Sequence, residues 1–173
     1  MTSSYREPEL LTRRHGLDQF ECRSPEQTAW LRKLANQSAS MGTTRVFVVT
    51  ELGSDEVVAY YAWRMAHLDV AHVPERLRKG AGSYPQPVAL LARLGVDVRH
   101  ERRGLGAALL ADAVMRLVGI SDEIGCRGLL IHAEGADARD FYLHLVPELQ
   151  ESPTDPLHLV LMMKDARRTL IGP

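Results

Sequence analysis

The run RHERRGLGAALLADAV, from Arg99 to Val114, sets three arginines and a histidine just ahead of Gly104-Leu105-Gly106 and an amphipathic, helix-forming segment. At a strand-to-helix turn of this kind the backbone N–H groups of Arg102, Arg103, Gly104, Leu105, Gly106 and Ala107 converge at a helix N-terminus. Unpaired donors and the helix dipole there favour an anion. Glycine at 104 and 106 lets the backbone approach that anion, since a Cβ at either position would fill the space. The chemistry offered is phosphate binding. A dinucleotide-binding turn is not indicated, because its third small residue would fall at Leu109, and no Gly-Lys-Ser/Thr follows for a P-loop. The spacing alone leaves a second reading open, in which the glycines only make a tight turn.

The flanking elements must put that turn between a strand and a helix. VALLARLGVDV, Val88 to Val98, reads as a strand with Gly95 inside it, which suggests a bulge, and a helix runs from Gly104 to about Ile124. Upstream, Ser24-Pro25-Glu26-Gln27 is a helix start, with Ser as cap, Pro at the first helical position and Gln27 placed to close a capping box. Trp30, Leu31 and Leu34 extend its apolar face as far as Gly42. TRVFVVTE (44–51) and EVVAYYAWRMA (56–66) form a hairpin through Gly53-Ser54-Asp55. From His67 to Pro87 prolines, glycines and basic residues alternate, which predicts a long excursion with one short helix and marks a functional loop. GLLIHA as a strand, a helix over Ala136 to Leu145, and the strand LHLVLMM complete the chain. Helices alternate with strands in the second half, so a mixed sheet covered by helices is expected.

Composition bounds the class. With 173 residues, 45% of them hydrophobic, the chain can bury one core, and a single domain over 1–173 is expected. The net charge of −1 conceals basic clusters at Arg13-Arg14-His15, at Arg76, Arg78 and Lys79, and at 99–103, so a polyanionic partner stays open. Cys22 and Cys126 are too few for a disulfide framework and sit in no metal-binding spacing, and the seven histidines form no HxxxH or His/Cys cluster, so no metal is expected. The N-terminus lacks a signal-peptide apolar region and no apolar run nears the ~20 residues of a membrane span, so a cytoplasmic protein without a membrane partner is expected. His132 is read as a packed or hydrogen-bonded strand residue rather than a catalyst.

RRGLGAALL after RLGVDV, with ARDFY at 138–142, resembles the GNAT N-acetyltransferase superfamily. LLTRRHGLDQFEC, WLRKLANQSAS, VFVV, RLRKG, LARLGVD, RRGLGAALLADAV and SPTDPLHLVLMMKD stand in the order found in GNAT toxins of type II toxin-antitoxin pairs, and this likeness spans roughly Leu10 to Arg167. The resemblance implies a three-layer α/β (α+β) fold with a mixed, mostly antiparallel central sheet flanked by helices. It implies acetyl-CoA as cosubstrate, with Leu94, Gly95 and Val96 beside the pantetheine arm, the turn amides on the pyrophosphate, and Phe141 beside the coenzyme. Tyr142 becomes the acid that protonates the leaving thiolate, against the plain alternative of a core aromatic. The implied acceptor is charged tRNA, with Lys33, Asn36, Arg76, Arg78, Lys79 and Arg93 as candidate contacts, because a phosphate chain is held by several cations at once. A small ribbon-helix-helix antitoxin is the implied partner, and a homodimer is compatible.

Two positions depart from the family. Glu101 stands where Gln or Arg is usual, and Val146-Pro147 replaces a Gly-Phe ending after the tyrosine. Glycine commonly closes a helix in the left-handed conformation, so the turn after Tyr142 must be built differently. The chemistry itself is undemanding: an α-amino group titrates near 7.7 to 8.0 and is already partly neutral at pH 7, so no side-chain base is required. Two alternatives stay open: acetylation of a small amine or a protein terminus, and a catalytically weak binding module.

Overall fold

The computed structural model describes residues 4–80 and 82–171. Strands β1 (Glu9–Leu10), β2 (Arg45–Thr50), β3 (Val57–Leu68), β4 (Gln86–Val96), β5 (Gly128–His132), β6 (Gln150–Glu151) and β7 (His158–Met162) form one sheet in the order β1-β2-β3-β4-β5-β7-β6. Pairs β1/β2, β2/β3, β5/β7 and β6/β7 are antiparallel, and β4/β5 is parallel, with Ala89, Leu90 and Leu91 opposite Leu129, Leu130 and Ile131. The parallel pair needs a crossover, and helix α4 (Leu105–Ile120) lies in it. The expected mixed, mostly antiparallel sheet is what forms.

The chain divides into two compact units. One comprises the chain through Arg64 together with Ala92–Asp112; the other comprises Met65–Leu91 and the chain from Ala113 onward. In the first, helix α1 (Pro25–Lys33) starts as expected, with the Ser24 hydroxyl accepting from the Gln27 N–H at 3.2 Å. It does not run on to Gly42: Leu34 breaks it at φ −120°, and α2 (Ala35–Ser40) follows as a separate short helix. Phe20, Leu31, Val46, Val48 and Tyr60 pack into this unit's core, and Trp30 stacks on Tyr60 with centroids 6.1 Å apart. The Tyr60 hydroxyl donates to the Gln27 carbonyl at 2.8 Å, so the aromatic ties α1 to β3.

In the second unit the excursion after β3 holds a 3-10 turn at Val70–His72 and the short helix α3 (Glu75–Arg78), and its buried Leu77 anchors it. Helix α5 (Ala136–Leu145) has the expected bounds. The last strand is shorter than expected, because Met163 already begins helix α6 (Met163–Ile171). Helix α4 likewise ends at Ile120 rather than Ile124.

The junction from β4 to the glycine turn rests on Asp97, which is fully buried. Its carboxylate accepts from the N–H groups of Glu21 (3.0 Å) and Arg99 (2.9 Å), and from Nε and Nη2 of the Arg99 guanidinium (both 2.9 Å). Burial alone would raise its pKa. The bonds and charge of Arg99, with the Glu21 N–H, outweigh burial and hold the group at about 2, from 3.8. A depressed folded-state pKa contributes stability above the unfolded value that is lost as pH falls through the folded one, so this contribution fades between about pH 4 and pH 2 and is roughly 2 kcal/mol at neutral pH. Asp97→Asn should therefore lower stability by about that amount at pH 7 and by little at pH 2, read from urea midpoints at the two pH values.

Candidate functional site

Leu94 and Val96 are half-buried on β4 and flank the buried Gly95. A Cβ built on Gly95 would lie 3.1 Å from Tyr60 Cε1 and 3.4 Å from Cys22 Sγ and Phe20 Cζ. Close packing of aromatics thus accounts for this glycine. In the turn beyond, Arg102 (φ 59°) and Gly104 (φ 80°) are both left-handed and flank Arg103. A left-handed arginine is uncommon and costs on the order of 1 kcal/mol, which the local structure must offset. Nothing lies within 4 Å of a Cβ built on Gly104, so conformation rather than packing selects glycine, and the backbone faces open space. The Ala108 N–H donates to the Gly104 carbonyl at 3.0 Å, which starts α4. The N–H groups of Leu105, Gly106 and Ala107 therefore belong to a first helical turn, where no intrahelical acceptor exists. A left-handed turn running into a helix N-terminus is an arrangement that favours an anion.

Cations frame the turn, and Arg23 and Arg103 among them are held by side-chain partners. Glu101, which would repel a pyrophosphate, is clasped by the Arg23 guanidinium in a fork, Nε to Oε1 and Nη2 to Oε2 both at 2.8 Å. Such a half-exposed pair adds little stability, but it covers the carboxylate with positive charge at close range. Arg103 Nη1 donates to the Tyr5 hydroxyl at 2.9 Å.

Tyr142 lies on α5, buried, with the partly exposed Phe141 ring edge-on at 5.4 Å. Burial pushes the phenol above its ordinary value of 10, and the Glu134 carboxylate pushes the same way. It therefore stays protonated across the physiological range as an O–H donor. Val146 closes the helix at φ −132° and ψ 85°, its N–H donating to the Tyr142 carbonyl at 2.9 Å. The left-handed conformation that disfavours valine is avoided. His132 is packed, as expected, but from an exposed position: it stacks on His158 across the β5/β7 pair, centroids 3.9 Å apart.

The basic candidates separate into two kinds. Arg93 lies over the Trp30 ring, 4.9 Å from its centroid, with Nη1 3.4 Å from Glu26 Oε1 and Gln27 Oε1. Arg76 Nη1 is 3.4 Å from Oδ2 of the buried Asp165, and Arg78 Nε donates to the Val73 carbonyl at 3.2 Å. These three have structural partners. Lys33 and Asn36 are exposed on α1 and α2. Lys79 joins Arg76, Glu75, Met162 and Lys164 around a cavity of about 380 Å³. Sequence reasoning missed Lys164, because the apolar run before it hides the start of α6. Among the described residues no His/Cys/Asp/Glu cluster could hold a metal ion, and no helix is long and apolar enough to cross a membrane.

Gly106→Asp separates fold from site. An acidic residue in a first helical turn favours the helix by about 0.3–1 kcal/mol, so the melting temperature should hold, while the added charge at the turn should cut acetyl-CoA affinity about tenfold or more. Calorimetry on the folded variant checks this, and an unchanged affinity counts against the site.

No protein-family model matches the chain. A tRNA-acetylating toxin of Mycobacterium tuberculosis is 41% identical over 170 residues, covering 98% of this chain and 99% of the relative. Among solved structures, AtaT complexed with acetyl-methionyl-tRNAfMet superposes with a TM-score of 0.86 at 21% identity, covering 97% of this chain and 99% of that one. A tyrosine-to-phenylalanine form of AtaT, bound to the C-terminus of the antitoxin AtaR and acetyl-CoA, gives 0.81 at 18% identity, covering 98% and 100%. The structural likeness establishes the fold, and near-full-length identity establishes the lineage: this chain belongs to the family of GNAT-fold, tRNA-acetylating toxins.

Proposed function

We propose that this chain transfers the acetyl group of acetyl-CoA to the α-amino group of aminoacyl-tRNA and so blocks translation as the toxin of a toxin-antitoxin pair. The observation that carries the reading is the near-full-length kinship with a tRNA-acetylating toxin. The turn supports it physically, since it offers amides, a helix N-terminus and arginines to a pyrophosphate. The turn fits the coenzyme's phosphates, with Arg102, Arg103, Gly104, Leu105, Gly106 and Ala107 as the residues that would hold them; Leu94, Gly95 and Val96 are the candidates for the pantetheine, and Phe141 is a candidate contact by family resemblance. When bound, acetyl-CoA supplies the thioester carbonyl that the amine attacks. The protein acts as one acetyltransferase domain in the cytoplasm, paired with a small ribbon-helix-helix antitoxin, and homodimer formation accords with this reading.

Tyr142 is the proposed acid. Formation of the amide releases one proton and the departing thiolate takes one up, so the reaction needs a donor in place and no net base. A phenol is protonated at neutral pH and has a proton to give, and a partly neutral α-amine needs no carboxylate partner. Tyr142→Phe should lower turnover by about 10²- to 10⁴-fold with acetyl-CoA affinity preserved. Near wild-type single-turnover rates would assign Tyr142 to packing instead.

Incubation with labelled acetyl-CoA and total charged tRNA tests the substrate. The expected product is acetyl-aminoacyl-tRNA. Absence of that product from a protein that binds acetyl-CoA, or faster acetylation of a small amine, would overturn the tRNA reading. The grip on phosphate is read from salt dependence. Lys79→Gln with Lys164→Gln should reduce the slope of log affinity against log salt by about 1 to 2 and leave acetyl-CoA binding unchanged. Arg76 is the poorer choice for this test, because it also lies 3.4 Å from the carboxylate of the buried Asp165.

A further inference from the structure

We propose that Tyr5 is a positioning residue for the coenzyme: its hydroxyl fixes Arg103 so that the guanidinium is preset for the phosphates of acetyl-CoA. This rests on the reading that the glycine turn holds the coenzyme.

The N-terminal segment reaches the turn through backbone pairing. Arg6 N–H donates to the Thr50 carbonyl and Leu52 N–H to the Ser4 carbonyl, both at 2.9 Å, with Tyr5 bridged to Glu51 between them. The segment thus extends the antiparallel pairing past β1 to the end of β2 and carries the Tyr5 phenol to the junction after β4. There the hydroxyl is 2.9 Å from His100 Nδ1 and accepts from Arg103 Nη1 at 2.9 Å, and the Tyr5 ring meets the His100 ring edge-on at 5.7 Å. With the phenol donating to Nδ1 and accepting from the guanidinium, both of its polar functions point along one chain from His100 to Arg103. Glu51 Oε1 lies 3.9 Å from the same imidazole nitrogen.

An arginine carries five N–H donors, and the contact with Tyr5 uses one, so the others remain to fork a phosphate. Its side chain otherwise loses much rotameric freedom on binding an anion. Fixing it in advance transfers that cost from binding to folding, which is how preorganisation raises affinity. Arg103 sits between the two left-handed residues of the turn, so its backbone is also set.

The test is a double-mutant cycle on acetyl-CoA affinity, measured by calorimetry with Tyr5→Phe, Arg103→Gln and the double variant. The phenylalanine keeps the ring and the backbone pairing and removes only the hydroxyl. Wild type must bind acetyl-CoA first; if it does not, the coenzyme reading of the turn fails, and the proposal with it. With that established, Tyr5→Phe should weaken binding about two- to tenfold, raise KM for acetyl-CoA to match, and leave kcat unchanged. In the Arg103→Gln background the same change should have no further effect. Unaltered affinity in Tyr5→Phe overturns the proposal, and so does an equal loss in both backgrounds. A general loosening of the N-terminal segment would give that equal loss, so a purely structural role is distinguished from positioning.

Discussion

A carboxylate with no exposed surface can stay ionised only if donors surround it, and Asp97 recruits its donors from two separate stretches of chain. That requirement fixes where the segment at Glu21 runs, where the 3-10 turn at Val98–His100 begins, and how the Arg99 side chain lies. Removing one partner from such a cluster would leave charge buried without compensation, which is far more costly than losing an exposed pair. The direction in which the chain leaves β4 is therefore set before the glycine turn starts. Every later feature of the turn inherits that direction: the left-handed Arg102, the open face at Gly104, and the first amides of α4.

Formal charge and usable charge differ in this protein. Arg23, Arg76, Arg93 and Arg99 each sit within 3.4 Å of a carboxylate oxygen. Their positive charge is offset at close range by these carboxylates. The long-range potential that attracts a polyanion then depends on fewer groups than the clusters in the sequence imply. Lys79 and Lys164 on one cavity, and Arg103 at the turn, are of that smaller set.

Signals that act locally are legible in this sequence, and those that depend on distant residues are not. Ser24-Pro25, Gly53-Ser54-Asp55 and the 136–145 helix are governed by capping, turn and periodicity rules that act within a few residues, and all appear where those rules put them. Strands β1 and β6 have two residues each and leave no pattern to detect. Helix α6 was missed because Met162 and Met163 continue the apolar run of β7 without a break. Gly95 reads from the sequence as a bulge, and the structure adds what no local pattern carries: the space around it is filled by Tyr60, Phe20 and Cys22, residues far off in sequence. Tyr5 lies 98 residues from Arg103, so no spacing could have joined them. The place of the glycine turn between a strand and a helix is legible because it depends on its own backbone and its immediate neighbours.

The division of the chain falls inside elements rather than between them. Strand β3 passes from one unit to the other at Arg64/Met65, β4 at Leu91/Ala92, and α4 at Asp112/Ala113. No linker exists at any of these crossings. A gene rearrangement that exchanged one unit for another would have to break a strand or a helix in mid-ladder, leaving severed hydrogen bonds on both sides. Either unit, taken without the other, would thus end in cut strands and a cut helix whose backbone groups have lost their partners.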